Sequence, residues 1–139
     1  MSLRFLLDTN VLSEPVRPVP HVRVLSKLRD HAGEIATGAP VWHELVFGCK
    51  RLPTSRKREA IETYLLHTVR AGVPILAYDE AAADWHAAER ARLVALGKTP
   101  PFLDGQIAAI AKVHDLILVT SNRDHFEVFE GLQIQDWKK

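Results

Sequence analysis

Cysteine occurs once in the 139 residues, at Cys49, so no internal disulfide can form and a small disulfide-stapled secreted fold is excluded. No run of about 18 apolar residues is present, and no charged-then-apolar leader opens the chain. The expected address is therefore the cytoplasm, with no membrane. An excess of one charge is also missing: Lys and Arg number 18 against 17 Asp and Glu, a net charge of +1. That balance excludes the global basic field of a protein that coats nucleic acid, so any polyanion must be held by a local patch or through a metal. The histidines, His21, His31, His43, His67, His86, His114 and His125, show no HxxxH spacing, and there is no paired cysteine. Zinc is thereby disfavoured, and the imidazoles read as surface or packing residues.

What is present is ordinary for a globular chain. A hydrophobic fraction of 47% and a charged fraction of 25% argue against disorder and against a fibrous fold. The length suits one core that buries about two thirds of its unfolded surface, and residues 1–139 are read as a single domain.

Hydrophobic periodicity divides the chain into alternating strands and helices. Leu3 to Leu7 reads as a strand buried on both faces, followed by a helical turn from Thr9 to Leu12. A helix is expected over about His21 to His31, ended by Gly33, then a weak strand at Ile35 to Thr37. Pro40 opens a helix carrying Val41, Leu45 and Cys49 that stops near Pro53, and a single amphipathic helix is expected from Arg56 to about Ala71. After a strand at Pro74 to Ala77, Asp79 caps a long helix with Ala82, Trp85, Leu93 and Leu96 on one side, closed by Gly97. Trp85 is read as a core residue. Leu103, Ile107, Ile110 and Ala111 mark the next helix, to about His114. Strands follow at Leu116 to Val119 and Leu132 to Ile134. This alternation predicts an α/β fold, a three-layer α/β/α sandwich around a central, mainly parallel sheet.

In such sheets the ligand site lies beyond the carboxyl ends of the strands. That rule selects Asp8 after the first strand, Asn122 and Asp124 after the Leu116 strand, Asp104 at the start of a helix, and Glu44 one turn into another. Singly, each has a structural explanation: a helix cap for Asp8, a dipole-complementing first turn for Asp104, a solvated face for Glu44, a turn for Asn122. Jointly they are harder to dismiss, because Asp8 and Asp104 end or interrupt the apolar runs LRFLLD and PPFLDGQIAAIA. Carboxylates about 4 Å apart repel by roughly 4 kcal/mol at an effective dielectric near 20. No Lys or Arg lies within three residues of Asp8, Glu44 or Asp104, so convergence would require a protonated carboxyl or a hard cation such as Mg²⁺ or Mn²⁺.

LLDTNVLSEP, WHELVFG, PFLDGQIAAIA and LVTSNRDHF, in that order, resemble the PIN-domain ribonucleases, and among them the VapC and FitB toxins of bacterial toxin–antitoxin pairs. The resemblance implies that Asp8, Glu44 and Asp104 are catalytic acids binding Mg²⁺ or Mn²⁺, supported by Asn10 and Thr120. Asn122 stands where relatives often carry a fourth acid, with Asp124 as a neighbouring substitute, and His125 also stands where relatives often carry an acid, a departure given no weight. It implies an endoribonuclease that hydrolyses a tRNA- or rRNA-class substrate by attack of water, a homodimeric assembly, and inhibition by an antitoxin of VapB type. The densest basic segment, with Lys50, Arg51, Arg56, Lys57 and Arg58, is the candidate RNA-landing surface. Two other readings are weighed: a non-catalytic PIN-like binding module, which a broken acidic triad would favour, and a Mg²⁺-dependent phospho-receiver domain. The latter needs an acidic dipeptide after the first strand and a lysine on the last, and neither is found.

Overall fold

The computed structural model describes residues 2–139. Strand β1 (Phe5–Leu7) is buried throughout, as its uninterrupted apolar sequence requires. It lies at the centre of a five-stranded parallel sheet. On one side it pairs with β2 (Ile35–Gly38), placing Phe5 opposite Ile35; on the other it pairs with β4 (Ile117–Val119), placing Phe5 opposite Ile117. The edges are β3 (Ile75–Leu76) beside β2 and β5 (Ile134–Gln135) beside β4. The chain builds outward through β2 and β3, then returns to β4 and β5 across β1. Right-handed crossovers in the two directions put helices on both faces, and the reversal opens a crevice at the carboxyl ends of β1 and β4.

The helices are α1 (Thr9–Leu12), α2 (Val22–Asp30), α3 (Ala39–Lys50), α4 (Arg56–Tyr64), α5 (Arg70–Gly72), α6 (Glu80–Ala95), α7 (Phe102–Val113) and α8 (Arg123–Phe126), the last of which the sequence reading did not expect. A 3-10 turn, Glu14–Val16, follows α1 with Pro15 in its first turn. The single helix expected from Arg56 to Ala71 is instead interrupted by a π-helical turn, Leu65–Val69, between α4 and α5. Leu65 and Val69 both face the core across this turn, and the Tyr64 hydroxyl before it donates to the Leu12 carbonyl at 2.6 Å, closing the end of α1. The last strand falls later than Leu132 to Ile134, because its ladder with β4 pairs Leu118 with Ile134 and Val119 with Gln135.

Asp79 caps α6 as expected, accepting from the Ala82 backbone N–H at 3.0 Å. The buried face of α6 is rotated from the expected stripe. It consists of Ala82, His86, Glu89 and Leu93, whereas Leu96 is 60% exposed and Trp85 is half-buried against the core beside Phe129. The two polar members are satisfied: His86 Nδ1 pairs with the Tyr78 hydroxyl at 2.7 Å, and Glu89 accepts from Arg92 Nε at 2.7 Å and from the Glu130 backbone N–H at 2.9 Å. Gly105 of α7 lies directly under the His86 ring, where a β-carbon would collide with it. Among the described residues no helix is long and apolar enough to cross a membrane.

Candidate active site

The apolar strand β1 delivers Asp8 to the crevice. The Asp8 N–H donates to the Val119 carbonyl at 3.0 Å, extending the β1–β4 ladder by one residue, while its extended backbone begins α1. Its carboxylate is almost closed off from solvent, at 6% exposure. Oδ1 accepts from the Thr9 N–H at 2.8 Å, so Asp8 is indeed a helix cap. Oδ2 accepts from the Thr120 hydroxyl at 2.8 Å and from Asn10 Nδ2 at 3.2 Å.

Asn10 and Thr120 do more than touch Asp8. Thr120 Oγ1 accepts from the Asn122 N–H at 3.0 Å, and Asn10 Oδ1 accepts from the Ser121 N–H at 3.0 Å. These bonds tie the start of α1 to the chain leaving β4. Thr37, which the sequence did not single out, adds a third tie from β2: its buried hydroxyl donates to the Leu7 carbonyl at 2.8 Å, immediately before Asp8.

Asp104 enters from the first turn of α7, after Pro101. Its side chain is 14% exposed, and its Oδ2 is buried without a hydrogen-bond partner. Burial raises its carboxyl above the ordinary aspartate range; His125 opposes this and the charge of Asp8 adds to it. The two acids therefore feel each other through the crevice. His125 Nδ1 stands 3.8 Å from Asp104 Oδ2, too far for a hydrogen bond but close enough for charge attraction when the ring is protonated. Asp124 and His125 are exposed and share a depression of about 400 Å³ with Asp104 and Lys98. Asn122 is exposed at the start of α8, and its backbone makes the bond to Thr120.

Glu44 is placed differently. It is half-buried on α3 and faces a cleft with Thr9 and Ser13, walled by Leu45, Ile61 and Tyr64. Among the described residues, no three His, Cys, Asp or Glu side chains stand close enough together to hold one ion. The structure thus brings Asp8, Asp104, Asn10 and Thr120 together and leaves Glu44 on the other flank of Thr9. Of the basic segment, Lys50, Arg51, Arg56 and Lys57 are exposed. Arg58 is engaged: its guanidinium donates to the Leu52 carbonyl at 3.0 Å and fastens the α3–α4 junction.

The sequence profile of the PIN domain family matches residues 5–131. The chain belongs to this family. Over 136 residues it is 34% identical to toxin FitB of Neisseria gonorrhoeae (strain ATCC 700825 / FA 1090), covering 95% of this chain and 97% of that one. It is 28% identical over 135 residues to the tRNA(fMet)-specific endonuclease VapC of Shigella flexneri, covering 97% and 98%. Its fold superimposes on the structure of FitAB bound to the IR36 DNA fragment with a TM-score of 0.88, at 28% identity over 97% of this chain and 96% of that one.

In this PIN domain the donor chemistry suits a hard divalent cation. Asp8 and Asp104 present oxygen only, their like charges meet, and Asp104 holds a buried oxygen that no protein donor satisfies. A cation between them would relieve both the repulsion and the orphaned acceptor.

Proposed function

We propose that this PIN domain, spanning residues 1–139, is a metal-dependent endoribonuclease and the toxin of a toxin–antitoxin pair. The observation that carries this reading is the Asp8–Asp104 arrangement: two repelling carboxylates at the switch point of the sheet, one with an unsatisfied buried oxygen. The similarity to toxin and endonuclease relatives along nearly the whole chain supports it.

Asp8 and Asp104 would hold Mg²⁺ or Mn²⁺, with Glu44 as the third acid of the set. Bound there, the cation would supply a Lewis acid that lowers the pKa of the attacking water and offsets charge developing on the scissile phosphate. Everything else is supplied by the chain. Thr120 and Asn10 donate to Asp8 Oδ2 and fix the direction of its remaining lone pairs, as outer partners do at metal sites. Asn122 and Asp124 stand at the mouth, where they contact substrate or a bridging water. Asp8 or Glu44 would accept the single proton released by the water. Lys50, Arg51, Arg56 and Lys57 neutralise phosphates flanking the cut, and Arg58 holds the α3–α4 junction that presents them.

The partners on this reading are a tRNA- or rRNA-class substrate, a second copy of the chain, and a cognate antitoxin of VapB type, all in the bacterial cytoplasm. The test is incubation of the purified protein with total tRNA and rRNA in Mg²⁺ or Mn²⁺. Discrete 5′-phosphorylated fragments are expected, lost in EDTA and lost in Asp8→Asn and Asp104→Asn. Cleavage that survives both chelation and substitution would defeat the metal mechanism.

A further inference from the structure

Helix α3 and its C-cap carry an exposed stripe of which only Arg51 has been given a role so far. His43, Phe47 and Arg51 recur every four residues and so share one face. The Phe47 ring is 54% exposed, a large apolar group left in solvent. The His43 ring lies with its centroid 6.3 Å from that of Phe47 and its plane at 35°, and the Arg51 guanidinium carbon is 5.7 Å from the Phe47 centroid. The result is a column of an imidazole, a benzene ring and a guanidinium, about 12 Å long at 1.5 Å per residue.

A cation over an aromatic ring can simply brace its own helix, for about 0.5–1 kcal/mol at an exposed site. Position and charge point further. Phe47 is one helical turn from Glu44, and His43 is its immediate neighbour, so the column begins at the flank of the acidic site. It runs outward to Lys50 and Arg51, with Arg56 and Lys57 exposed across the junction. A face combining flat π surfaces with a cluster of free cations is complementary to one kind of occupant, a strand with alternating phosphates and exposed bases. Duplex RNA shields its bases in the stack and offers such a column nothing beyond its phosphates.

We propose that His43, Phe47 and Arg51 form a stacking platform for unpaired nucleotides next to the scissile phosphate, making this surface the element that selects single-stranded segments of the substrate. The proposal rests on the ribonuclease reading and names the substrate class of that site. Phe47 stacks a base, His43 extends the platform toward the acids, and Arg51 holds the base from its outer side while neutralising the adjoining phosphate.

The test measures binding of a short unstructured oligoribonucleotide bearing 2-aminopurine, and of the same sequence in a duplex, to the full chain in EDTA. Cleavage in Mg²⁺ is followed separately. Phe47→Ala is expected to weaken single-strand binding about 5- to 100-fold and to abolish the stacking change in 2-aminopurine fluorescence, with duplex binding unchanged. Phe47→Trp should retain both, and Arg51→Ala should weaken single-strand binding and flatten its salt dependence. Unchanged melting of each variant establishes that the fold is intact. Single-strand binding within twofold of wild type in Phe47→Ala would overturn the proposal. So would an equal loss on duplex, or a change of sedimentation with RNA affinity preserved, which would mark the stripe as a protein interface. Stacking without Mg²⁺-dependent cleavage would defeat the nuclease reading alone; cleavage indifferent to Phe47→Ala would defeat this inference alone.

Discussion

The Thr120 hydroxyl donates to Asp8 Oδ2 at 2.8 Å, joining two buried residues that are 112 positions apart in the chain. The same oxygen accepts from the Asn122 N–H at 3.0 Å, so one hydroxyl both aims the first acid and shapes the turn after β4. Thr120→Val keeps the volume and removes both bonds. Metal affinity and kcat/KM are expected to fall about 10- to 100-fold, the usual effect of losing an outer partner of a metal ligand. Thr120→Ser should restore most of both. A Mn²⁺ titration of the cleavage rate measures the effect, and a Val variant with wild-type Mn²⁺ dependence would show that Thr120 is only a packing residue.

Asp104 should cost the metal-free protein stability. Burial holds its carboxyl above the ordinary range, with His125 acting against the shift and Asp8 adding to it. A group raised on folding binds its proton more tightly in the folded state. Its contribution is therefore fully present below the unfolded value and lost as pH rises through the folded one. At pH 7 without metal, Asp104→Asn is expected to melt above wild type, by about 3–4 °C for each kcal/mol relieved. In excess Mg²⁺ the order should reverse, because wild type gains more from binding. Differential scanning calorimetry in EDTA and in Mg²⁺ distinguishes the two.

A second acid acts in the opposite direction. Glu89, buried on α6, is held below the ordinary glutamate range first by the Arg92 guanidinium, with burial opposing and the Glu130 N–H assisting. Arg92 also donates to the Val128 carbonyl at 3.0 Å, so the pair fastens α6 to the segment between α8 and β5. A carboxyl lowered on folding contributes stability above its unfolded value that is lost as pH falls through the folded one. Glu89→Gln should cost about 1–3 kcal/mol at pH 7 and much less at pH 3. Urea denaturation at the two pH values checks this.

The α6–α7 contact depends on a missing side chain. A β-carbon at Gly105 would collide with the His86 ring, which the Tyr78 hydroxyl holds from its other side at 2.7 Å. Gly105→Ala is expected to destabilise by about 1–3 kcal/mol despite the better helix propensity of alanine. Since Asp104 is the preceding residue, metal affinity should fall with it. Denaturant midpoints and a Mn²⁺ titration report the two effects, and a more stable variant would contradict the packing argument.

How far the site could be read from sequence depended on how local each cause was. Asp8 and Asp104 stood out because each places a charge against an apolar run, a cost visible without coordinates. Asn10 and Thr120 came from the family resemblance of LLDTNVLSEP and LVTSNRDHF, not from periodicity or spacing. His125 stands where relatives often carry an acid, a departure given no weight in the sequence reading, yet its Nδ1 lies 3.8 Å from Asp104 Oδ2; α8 turns it there by burying Phe126, and that rotation has no linear signal. The rotated face of α6 was hidden for a related reason. Apolar counting favours Trp85 and Leu96, whereas His86 and Glu89 are buried because Tyr78 and the Glu130 backbone satisfy them. The π turn was equally invisible, since Leu65 and Val69 keep the spacing of an ordinary helix. The place of Glu44, in the cleft beside Thr9 and Ser13, follows from the packing of α3 and likewise has no linear signal.

The central claim is that Asp8 and Asp104, completed by Glu44, hold the divalent cation that drives hydrolysis. Electron paramagnetic resonance titration of Mn²⁺ into the purified protein tests it most directly, because it counts bound ions without needing the right RNA. Wild type should bind Mn²⁺ at the site, with Asp8→Asn and Asp104→Asn each reducing affinity at least tenfold and Glu44→Gln reducing it less. Mn²⁺ binding of equal strength in wild type and in the Asp8→Asn, Asp104→Asn double variant would contradict the account.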